Sequence, residues 1–574
     1  MVESFDAGVF AVDFEFHPVA GVEGNPPDPV CMVVKDLHTG HVYRYFKEDL
    51  SALERAPLSV GPDALWIAYY AAAEMDCFLS LGWDLPTNIL DLYVEFRNLS
   101  NGLPLPHGAG LLGALAHYGL LSIAPEDKKA MRDLILSRGP WTSGQEQAIL
   151  DYCQSDVDAL DHLFSKMAPL IDWPRALLRG RYIKAVSRIQ DCGIPIDVSS
   201  LTRIQDSWGR IQTALIDKID GRYGVFEAQS FKRVKFEAYL DRSGIPWPRL
   251  ESGTLDLSDD TFRRIAKGYP EIAPLHELRS TLSKLRLNGL AIGEDGRNRY
   301  MLSPFRSKTG RNQPSNTKAI YGPSTWMRGF IKPQKDMALA YIDWGQQEFG
   351  IAAVLSGDPS MQEAYRSGDP YLAFAIQSGS IPSNATKQTH PEERDRFKAC
   401  ILGVQYGMGP NSLATQIGQS VDHAKLLLNL HRRTYHVFWK WSDAVQEHYA
   451  LGGKLTTVLG WELQSTVEYN PRSVRNFLMQ ANGAEMLRLA CIHITEAGIR
   501  VCAPVHDALL VEAPTEQIDA VVAQTQALMA QASREVLDGF ELTTDVEIVR
   551  YPDRYMDKRG AVMWNTVNEL VESF

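Results

Sequence analysis

The spacing of apolar and polar residues predicts strands and helices in alternating blocks along the chain. Short runs rich in β-branched and aromatic residues predict strands at VFAVDFEF, VCMVVKDL and ALWIAYY. Amphipathic stretches over residues 175–290 predict long helices that break at GIPIDV and GIPWPRL. Residues 361–455 are predicted to be mostly helical, and FLMQANGAEMLRLACIHITEAG is predicted to be a further helix.

Two segments join an apolar run to an acidic residue. Asp343 ends the predicted strand in DMALAYIDWGQQEFG, and Asp507 lies at the tip of the hairpin predicted for IRVCAPVHDALLVEAP. If these strands are neighbours in one sheet, the two carboxylates repel each other unless a cation intervenes. Carboxylate oxygens suit Mg²⁺, and two such ions can support phosphoryl transfer. The alternative is that each aspartate is an independent turn or cap residue.

The helix predicted for HPEERDRFKACILGVQYGMG carries a basic stripe. Arg394, Lys398 and Leu402 recur at four-residue spacing on one face, and Tyr406 lies at the end of the helix. Two cations followed by an apolar contact can hold a triphosphate and pack against the attached base. The alternative is an ordinary solvated helix face.

The N-terminal part of the chain contains a second set of acids in apolar surroundings, namely Asp13, Glu15, Glu74, Asp76 and Asp156. Period-2 spacing places Asp13 and Glu15 on one face of a strand. Helical i, i+4 spacing joins Tyr152 to Asp156. We interpret the set as a second two-metal site in which Tyr152 orients an attacking water. The alternative is an edge strand with solvated acids.

Composition limits the class of protein. The chain has 574 residues, which predicts three or four folding units. Its 7 cysteines are scattered without a CxxC pair, as expected for a protein of a reducing cytosol and not for a zinc ribbon. The N-terminus carries acids where a signal peptide carries Lys or Arg, and we expect no membrane segment.

The net charge of −12 argues against a nucleic-acid partner, but the charge is unevenly distributed. Residues 296–335 contain nine Lys or Arg and no Asp or Glu, with Tyr, Phe and Trp interleaved. This basic window is either a solvated loop or the electrostatic footprint of a phosphate backbone. Its length favours the second interpretation.

Taken in order, these motifs resemble the family A DNA polymerases, the bacterial polymerase I type, in the form found in phages. DWGQQEFG resembles the first catalytic motif (D-Y-S-Q-I-E-L-R), and VHDA resembles the second (V-H-D-E). The resemblance implies that Asp343 and Asp507 are metal ligands and that Glu348 closes the nucleotide pocket against a ribose 2′-hydroxyl.

The resemblance also implies contacts with nucleotide and DNA. RDRFKACILGVQYG resembles the fingers-helix motif, so Arg394 and Lys398 would bind the incoming triphosphate, with Leu402 on the same stripe. The other residues that the resemblance implicates are Tyr406 at the insertion site, His506 near the primer end, Arg311 of TGRNQPSN at the duplex, and Arg472, Asn476 and Gln480 of PRSVRNFLMQ at template and primer.

The N-terminal region is similar to the 3′–5′ proofreading exonuclease of the same family. Asp13 and Glu15 match its first motif, and Tyr152 with Asp156 matches its third. The second motif departs from the family, because Tyr69 and Tyr70 replace the usual His/Gln-Asn pair. By spacing, Glu74 takes the place of the metal-binding carboxylate, with Asp76 as the alternative.

We therefore predict an α/β and α+β multidomain chain. An RNase H-like exonuclease domain at residues 1–172 precedes a right-hand polymerase with thumb at 173–300, palm at 301–360 and 455–574, and fingers at 361–454. We expect no 5′-nuclease domain.

The predicted function is template-directed addition of deoxynucleotides to a primer 3′ end, with proofreading, in phage DNA replication. The expected cofactor is Mg²⁺, two ions per site, with Mn²⁺ as a substitute. The expected partners are primer-template DNA, dNTPs and other replication proteins, for a monomer in the cytoplasm of the host, without membrane contact.

Two positions depart from the motifs of the family and leave two alternative functions open. Ala508 stands where the family has Glu, and Leu402 stands where the family has an aromatic residue. One alternative is a 3′–5′ exonuclease with a weak or altered polymerase half. The other is a polymerase tuned to a modified nucleotide.

Overall fold

The computed structural model describes residues 5–120, 125–284, 287–322, 325–405 and 407–574. The strands are β1 (Gly8–Pro18), β2 (Pro27–Asp36), β3 (Val42–Phe46), β4 (Ala64–Ala68), β5 (Asn88–Asp91), β6 (Ile194–Pro195), β7 (Phe226–Glu227), β8 (Ser230–Phe231), β9 (Arg297–Asn298), β10 (Met337–Trp344), β11 (Leu455–Thr456), β12 (Glu462–Leu463), β13 (Arg500–Val505), β14 (Ala508–Pro514) and β15 (Thr544–Arg550).

The helices of the first half are α1 (Lys47–Ser51), α2 (Ala72–Ser80), α3 (Leu92–Ser100), α4 (Leu111–His117), α5 (Pro125–Leu136), α6 (Ser143–Met167), α7 (Trp173–Cys192), α8 (Val198–Asp206), α9 (Trp208–Asp220), α10 (Arg233–Ser243), α11 (Asp259–Gly268) and α12 (Ala273–Lys284). Those of the second half are α13 (Gln347–Leu355), α14 (Pro359–Arg366), α15 (Pro370–Gln377), α16 (Pro391–Gln405), α17 (Pro410–Ile417), α18 (Val421–Thr434), α19 (His436–Ala450), α20 (Pro471–Glu496), α21 (Ile518–Val536) and α22 (Ala561–Glu572). None of the helices in the described part of the chain has the length and apolar composition that a bilayer crossing requires.

The N-terminal part is built on a five-stranded sheet in the order β3-β2-β1-β4-β5. Strand β1 pairs antiparallel with β2 and parallel with β4. The sheet is covered by helices on both faces, so its central strands are buried runs of apolar residues. The three strands predicted from the apolar runs are confirmed.

Helix α7 joins this sheet to the rest of the molecule. It contacts α2 and β5 on one side and α20 and β13 on the other. A Cβ atom at Gly180 would lie 1.9 Å from the carbonyl oxygen of Ile89, so only glycine permits this approach of helix to strand. Next to it, the buried guanidinium of Arg179 donates to both oxygens of Glu95 at 2.7 and 2.6 Å. The two halves are therefore connected through a tightly packed helix.

The C-terminal part is built on a four-stranded antiparallel sheet in the order β13-β14-β10-β15. It lies in the region predicted from the sequence as the palm, and we call it the palm sheet after that prediction. The β13-β14 hairpin and the strand β10 match the apolar runs that predicted them. Helices α20 and α21 pack against each other, and α21 packs against β10. Between β10 and α20 the described residues form the seven helices α13 to α19, and α14 to α19 agree with the mostly helical prediction for residues 361–455.

His431 lies in the core of this helical segment. It is 2% exposed, and its ring packs against Phe374, Tyr435 and Phe438. The indole N–H of Trp439 donates to Nδ1 of His431 at 3.0 Å, so the imidazole serves as an acceptor. Burial lowers the pKa of His431 to about 3.

This buried imidazole predicts a stability that depends on pH. A histidine in the unfolded chain has a pKa of about 6.5. Between the two pKa values the unfolded chain binds a proton that the folded chain excludes. Stability therefore decreases as the pH falls below about 6.5, by up to about 1.4 kcal/mol per pH unit. Thermal unfolding midpoints at pH 7.5 and pH 5.0 should fall less in His431→Gln, which keeps an acceptor for Trp439, than in the parent. The exposed His448→Gln serves as control, and an equal decrease in His431→Gln and the parent would contradict the argument.

Candidate active sites

The palm sheet brings Asp343 and Asp507 together. Asp343 in β10 is the direct partner of Ala508 in β14, and Asp507 precedes Ala508 in the turn after β13. The amide N–H of Trp344 donates to the carbonyl oxygen of Asp507 at 3.3 Å. His506 completes the turn in a left-handed conformation, with φ of 59°. The predicted proximity of the two aspartates is confirmed.

The fold holds the two carboxylates close together although their negative charges repel each other. Burial, the charge of Asp507, a side-chain hydrogen bond with Asp507 and the charge of Asp545 raise the pKa of Asp343 to about 7. The Oδ1 atom of Asp343 is buried and has no hydrogen-bond partner within the described residues. A buried, unpartnered carboxylate oxygen beside a second carboxylate fits a divalent cation with oxygen ligands.

Asp545 is a third acid at this place, and the sequence reasoning missed it. In β15 it is the direct partner of Asp343 on the side opposite β14. The strand reads TDVEIVR, whose alternation of polar and apolar residues is the only signal for a strand there. Its pairing partner is about 200 positions earlier in the chain, so only the folded sheet reveals the contact.

Helix α16 carries the predicted basic stripe, and an aromatic ring accompanies it. The cationic groups of Arg394 and Lys398 lie 5.4 and 5.5 Å from the ring centre of Tyr371. Arg394 also donates to Asp369 at 2.5 Å. Leu402 is half-buried. Tyr406 lies outside the described residues. Tyr371, which was not predicted, links the two cations.

Arg311 and Glu348, predicted for separate tasks, form an ion pair of 3.2 Å. They connect the TGR segment with the first turn of α13. Arg311 also lines a cavity of about 360 Å³ together with Asn312, Arg488 and His506. Burial lowers the pKa of His506, which favours the neutral ring. Arg311 and His506 therefore line the same cavity.

Helix α20 presents Arg472, Asn476 and Gln480 at i, i+4 and i+8, on one face. Arg472 is exposed, and the other two are half-buried. A Cβ atom at Gly407, whose φ is 64°, would lie 2.8 Å from Cγ of Arg472. The start of α20 therefore lies against the chain that follows α16.

The basic window is less available to a partner than its sequence suggests. Five of its nine cations form ion pairs with acids elsewhere in the chain, namely Arg297 with Glu512, Arg299 with Asp295, Arg311 with Glu348, Lys318 with Glu23 and Arg328 with Asp557. These five cations are therefore partly neutralised within the chain, and the footprint for a phosphate backbone stays a prediction. Their acidic partners are distant in sequence, except Asp295, which lies just outside the window.

The N-terminal acids also converge. One carboxylate oxygen each from Asp13, Glu15 and Asp156 lies within 4.8 Å of the others. Asp13 and Glu15 are half-buried in β1, and Asp156 is 9% exposed on α6. Tyr152, one turn earlier on α6, has a pKa raised by burial and by the charge of Asp156. Three acids in this arrangement suit a divalent cation.

Glu74 joins this cluster, whereas Asp76 does not. The amide N–H of Phe14 donates to Oε2 of Glu74 at 2.9 Å. Burial, followed by the charges of Asp13 and Glu15, raises the pKa of Glu74 well above its usual value. Asp76 instead accepts a hydrogen bond from Nε2 of Gln190 at 2.7 Å, toward α7. The contacts therefore favour Glu74 over Asp76 as the fourth acid of the cluster, and this choice stays a prediction.

The loop before α2 is fixed by Asp91, which the sequence reasoning also missed. The carboxylate of Asp91 accepts from the amide N–H groups of Tyr70 and Ala71, each at 2.9 Å. Burial raises the pKa of Asp91 to about 7. The hydroxyl of Tyr69 donates to the carbonyl oxygen of Ala109 at 2.6 Å. These contacts hold the Tyr69-Tyr70 segment beside Glu74.

A third group of potential metal ligands forms ion pairs and other close contacts with arginine side chains. Cys192, Cys502 and Glu512 bring ligand atoms within 4.8 Å of one another. Arg297 donates to Glu512 at 2.9 Å and approaches Sγ of Cys192 at 3.7 Å, and Arg500 lies 3.1 Å from Glu512. Two guanidinium groups disfavour an added cation at this place. We interpret this group as a buried ion-pair network.

Comparisons with known proteins find similarity to DNA polymerases, and a family model matches the second half of the chain. Residues 314–550 match the family model described as DNA polymerase family A. The chain is 24% identical to a DNA polymerase I of Synechocystis sp. over 471 residues, which cover 72% of this chain and 46% of that protein. It is 24% identical to the DNA polymerase of Mycobacterium phage D29 over 424 residues, which cover 70% and 67%. The match thus spans less than half of the Synechocystis protein.

One solved structure has a similar fold over almost the whole chain. It is the POL domain of Pol1 from M. smegmatis in complex with DNA primer-template and dNTP. The TM-score is 0.74 and the identity 19%, with 96% of each chain covered. At this identity the likeness concerns the fold alone. The expected fold class is confirmed as a mixed α/β architecture that resembles a family A polymerase domain.

The repulsion between Asp343 and Asp507 predicts a gain in stability when either charge is removed. In EDTA at pH 8, Asp343→Asn and Asp507→Asn should each raise the thermal midpoint, by about 2 °C or more. Because either change removes the same repulsion, the double variant should gain less than the sum. The exposed Glu516→Gln is the control for loss of one charge. Strict additivity, or lower midpoints in both single variants, would rule out the repulsion.

Proposed function

Because residues 314–550 match the family A DNA polymerases, we propose that this chain is a template-directed DNA polymerase. It adds deoxynucleotides to a primer 3′ end and removes them at a second, 3′–5′ exonucleolytic site. The observation that carries the synthetic part is the contact between Asp343 and Asp507 at one end of the palm sheet. Both residues lie inside the matched segment.

In this proposal Asp343 and Asp507 hold divalent cations, Mg²⁺ or Mn²⁺, through carboxylate oxygens. When bound, such cations neutralise charge that develops on the transferring phosphoryl group and on the attacking and leaving oxygens. The protein contributes the fixed spacing of the two acids, which the hydrogen-bonded register of β10 and β14 supports. The preorganised carboxylates do not need to move when the nucleotide arrives.

Arg394 and Lys398 bind the triphosphate of the incoming dNTP. Their shared contact with Tyr371 keeps both cations on one side of α16. Arg394 is paired with Asp369 in the structure, so a phosphate oxygen would replace or share that carboxylate. Leu402 follows on the same stripe and packs against the base, without the stacking that an aromatic ring gives. Tyr406 is proposed at the insertion site.

Glu348 and Arg311 act as a pair at the sugar and primer side of the pocket. Their 3.2 Å ion pair supports a fixed position for Glu348, which would exclude a ribose 2′-hydroxyl. His506 and Arg311 would contact the primer end and the duplex. The face of α20 that carries Arg472, Asn476 and Gln480 would contact template and primer bases.

The editing site uses the N-terminal cluster. Asp13, Glu15, Glu74 and Asp156 would hold two divalent cations, and Tyr152 would orient the attacking water through its phenol. The convergence of three of these acids within 4.8 Å supports the assignment. A glutamate at position 74 reaches farther than an aspartate, and its hydrogen bond from Phe14 holds it in place.

The domain boundaries stay as predicted from the sequence. We propose an RNase H-like exonuclease domain at residues 1–172, a thumb at 173–300, a palm at 301–360 and 455–574, and fingers at 361–454. The similarity to the polymerase of phage D29 supports a role in phage DNA replication in the host cytoplasm. Primer-template DNA and dNTPs are the proposed substrates.

Removing either palm carboxylate tests the synthetic function. Asp343→Asn and Asp507→Asn should slow primer extension by at least about 10³-fold, because charge neutralisation contributes several kcal/mol. Binding of a primer-template duplex should change little, as measured by fluorescence anisotropy. Glu516→Gln, an exposed acid beyond the far end of β14, should extend normally. Normal extension by either aspartate variant would refute the ligand assignment.

If the parent shortens primers but never extends them with all four dNTPs, the chain is a nuclease with an inactive polymerase half.

Removing the N-terminal acids tests editing. The double variant Asp13→Ala/Glu15→Ala should abolish degradation of single-stranded DNA and leave primer extension intact. Tyr152→Phe should reduce degradation less, by about 10²-fold, because the water keeps its other contacts. Asp151→Asn, an exposed neighbour of Tyr152 on α6, is the matched control. Degradation that persists in the double variant would place the nuclease elsewhere.

A further inference from the structure

Three directly opposed residues, one from each of the strands β14, β10 and β15, form a row across the palm sheet. The residue from β15 is an acid that the sequence did not predict at this place. Asp343 in the central strand β10 is paired directly with Ala508 of β14 and with Asp545 of β15. Directly opposed residues of antiparallel strands project to the same face, with Cβ atoms about 4.5–5.5 Å apart. The carboxylate of Asp545 therefore stands beside that of Asp343.

The other flank lacks an acid. Ala508 is fully buried and offers only a methyl group. The motif that VHDA resembles ends in Glu at this position, so one carboxylate is missing there. In this chain Asp545 of β15 supplies an acid beside Asp343, whereas the motif supplies one from the strand that corresponds to β14. The number of acids next to Asp343 is therefore the same. Both flanking positions directly oppose Asp343, one in a hydrogen-bonded pair and the other in a non-hydrogen-bonded pair, at Cα–Cα spacings of about 4.5–5.5 Å.

The start of β15 is fixed to the end of β10. The hydroxyl of Tyr365 accepts from the amide N–H of Thr543 at 3.1 Å and donates to the carbonyl oxygen of Gly345 at 2.9 Å. The amide N–H of Gly345 donates to the carbonyl oxygen of Thr543 at 2.9 Å. These bonds close the sheet two residues from Asp545 and hold its strand beside Asp343.

We propose that Asp545 supplies the third carboxylate for the divalent cations held by Asp343 and Asp507, in the role that Ala508 cannot fill. This inference rests on the proposed polymerase function. Like charges placed directly opposite each other in a sheet are destabilising, so the pairing of Asp343 with Asp545 is costly without a cation. A cation that binds between them removes that cost.

The competing explanation is that Asp545 protects an edge strand. Strand β15 is at the edge of the palm sheet, and exposed charges on edge strands prevent pairing with other chains. Glu547 separates the two explanations. It lies on the same strand and the same face, is also exposed, and is opposite Tyr341 instead of an acid. Asp545 and Glu547 would protect the edge strand equally well from pairing with other chains, but only Asp545 lies next to Asp343.

The experiment compares Asp545→Asn, Asp545→Glu and Glu547→Gln in the Asp13→Ala/Glu15→Ala background, which removes the other acid cluster. Mn²⁺ binding to the protein alone is measured by electron paramagnetic resonance of the free ion. The Mg²⁺ concentration for half-maximal primer extension is the second readout. Asp545→Asn should weaken Mn²⁺ binding and raise the Mg²⁺ requirement, each by about 10-fold. Asp545→Glu should keep most of the affinity because it keeps a carboxylate, and Glu547→Gln should match the background protein.

The inference is overturned if Asp545→Asn binds Mn²⁺ as the background protein does. It is equally overturned if Asp545→Asn and Glu547→Gln weaken binding to the same extent, which would indicate a general effect of edge charge. A background protein that extends no primer, but loses Mn²⁺ on Asp545→Asn, would overturn the polymerase proposal and support Asp545 as a cation ligand. The two failures are therefore distinguishable.

Discussion

Hydrogen bonds of the palm sheet force carboxylates together that would separate in solution. The register of β10 with β14 and β15 is set by main-chain pairing and by the apolar residues that bury this sheet. A slip of one residue would turn Asp343 away from its partners and expose the apolar side of the strand. Packing of the sheet thus fixes the repulsion at its end, and burial together with that repulsion raises the pKa of Asp343.

The N-terminal cluster follows the same physical principle with different elements. Asp13 and Glu15 come from a strand, whereas Glu74 and Asp156 come from two helices that pack on that strand. Helix α7 connects this sheet to the palm sheet through the close approach at Gly180. Each cluster is therefore a consequence of core packing, and neither depends on a mobile loop to assemble its acids.

The sequence predicts a residue well when the signal is local. Asp343 and Asp507 each follow an apolar run, so their position at the ends of strands could be predicted from the sequence alone. Asp545 was not readable, because its importance comes from a partner in another strand and its own segment is short and polar. The free charge of the basic window was overestimated for a related reason: Arg297 is paired with Glu512, 215 positions away. Charge counts along a chain do not include such long-range pairs.

The proposed role of Asp545 follows from what a divalent cation requires of its ligands. A divalent cation responds to the number, charge and distance of its oxygen ligands, and it is indifferent to which strand supplies them. In a three-stranded antiparallel row, both neighbours of the central residue lie within about 4.5–5.5 Å of it, so an acid on either flank can reach the same cation. Under this proposal the total charge around Asp343 matters more than the residue at a single motif position. Ala508 then leaves the number of acids unchanged, because β15 supplies the carboxylate that β14 lacks.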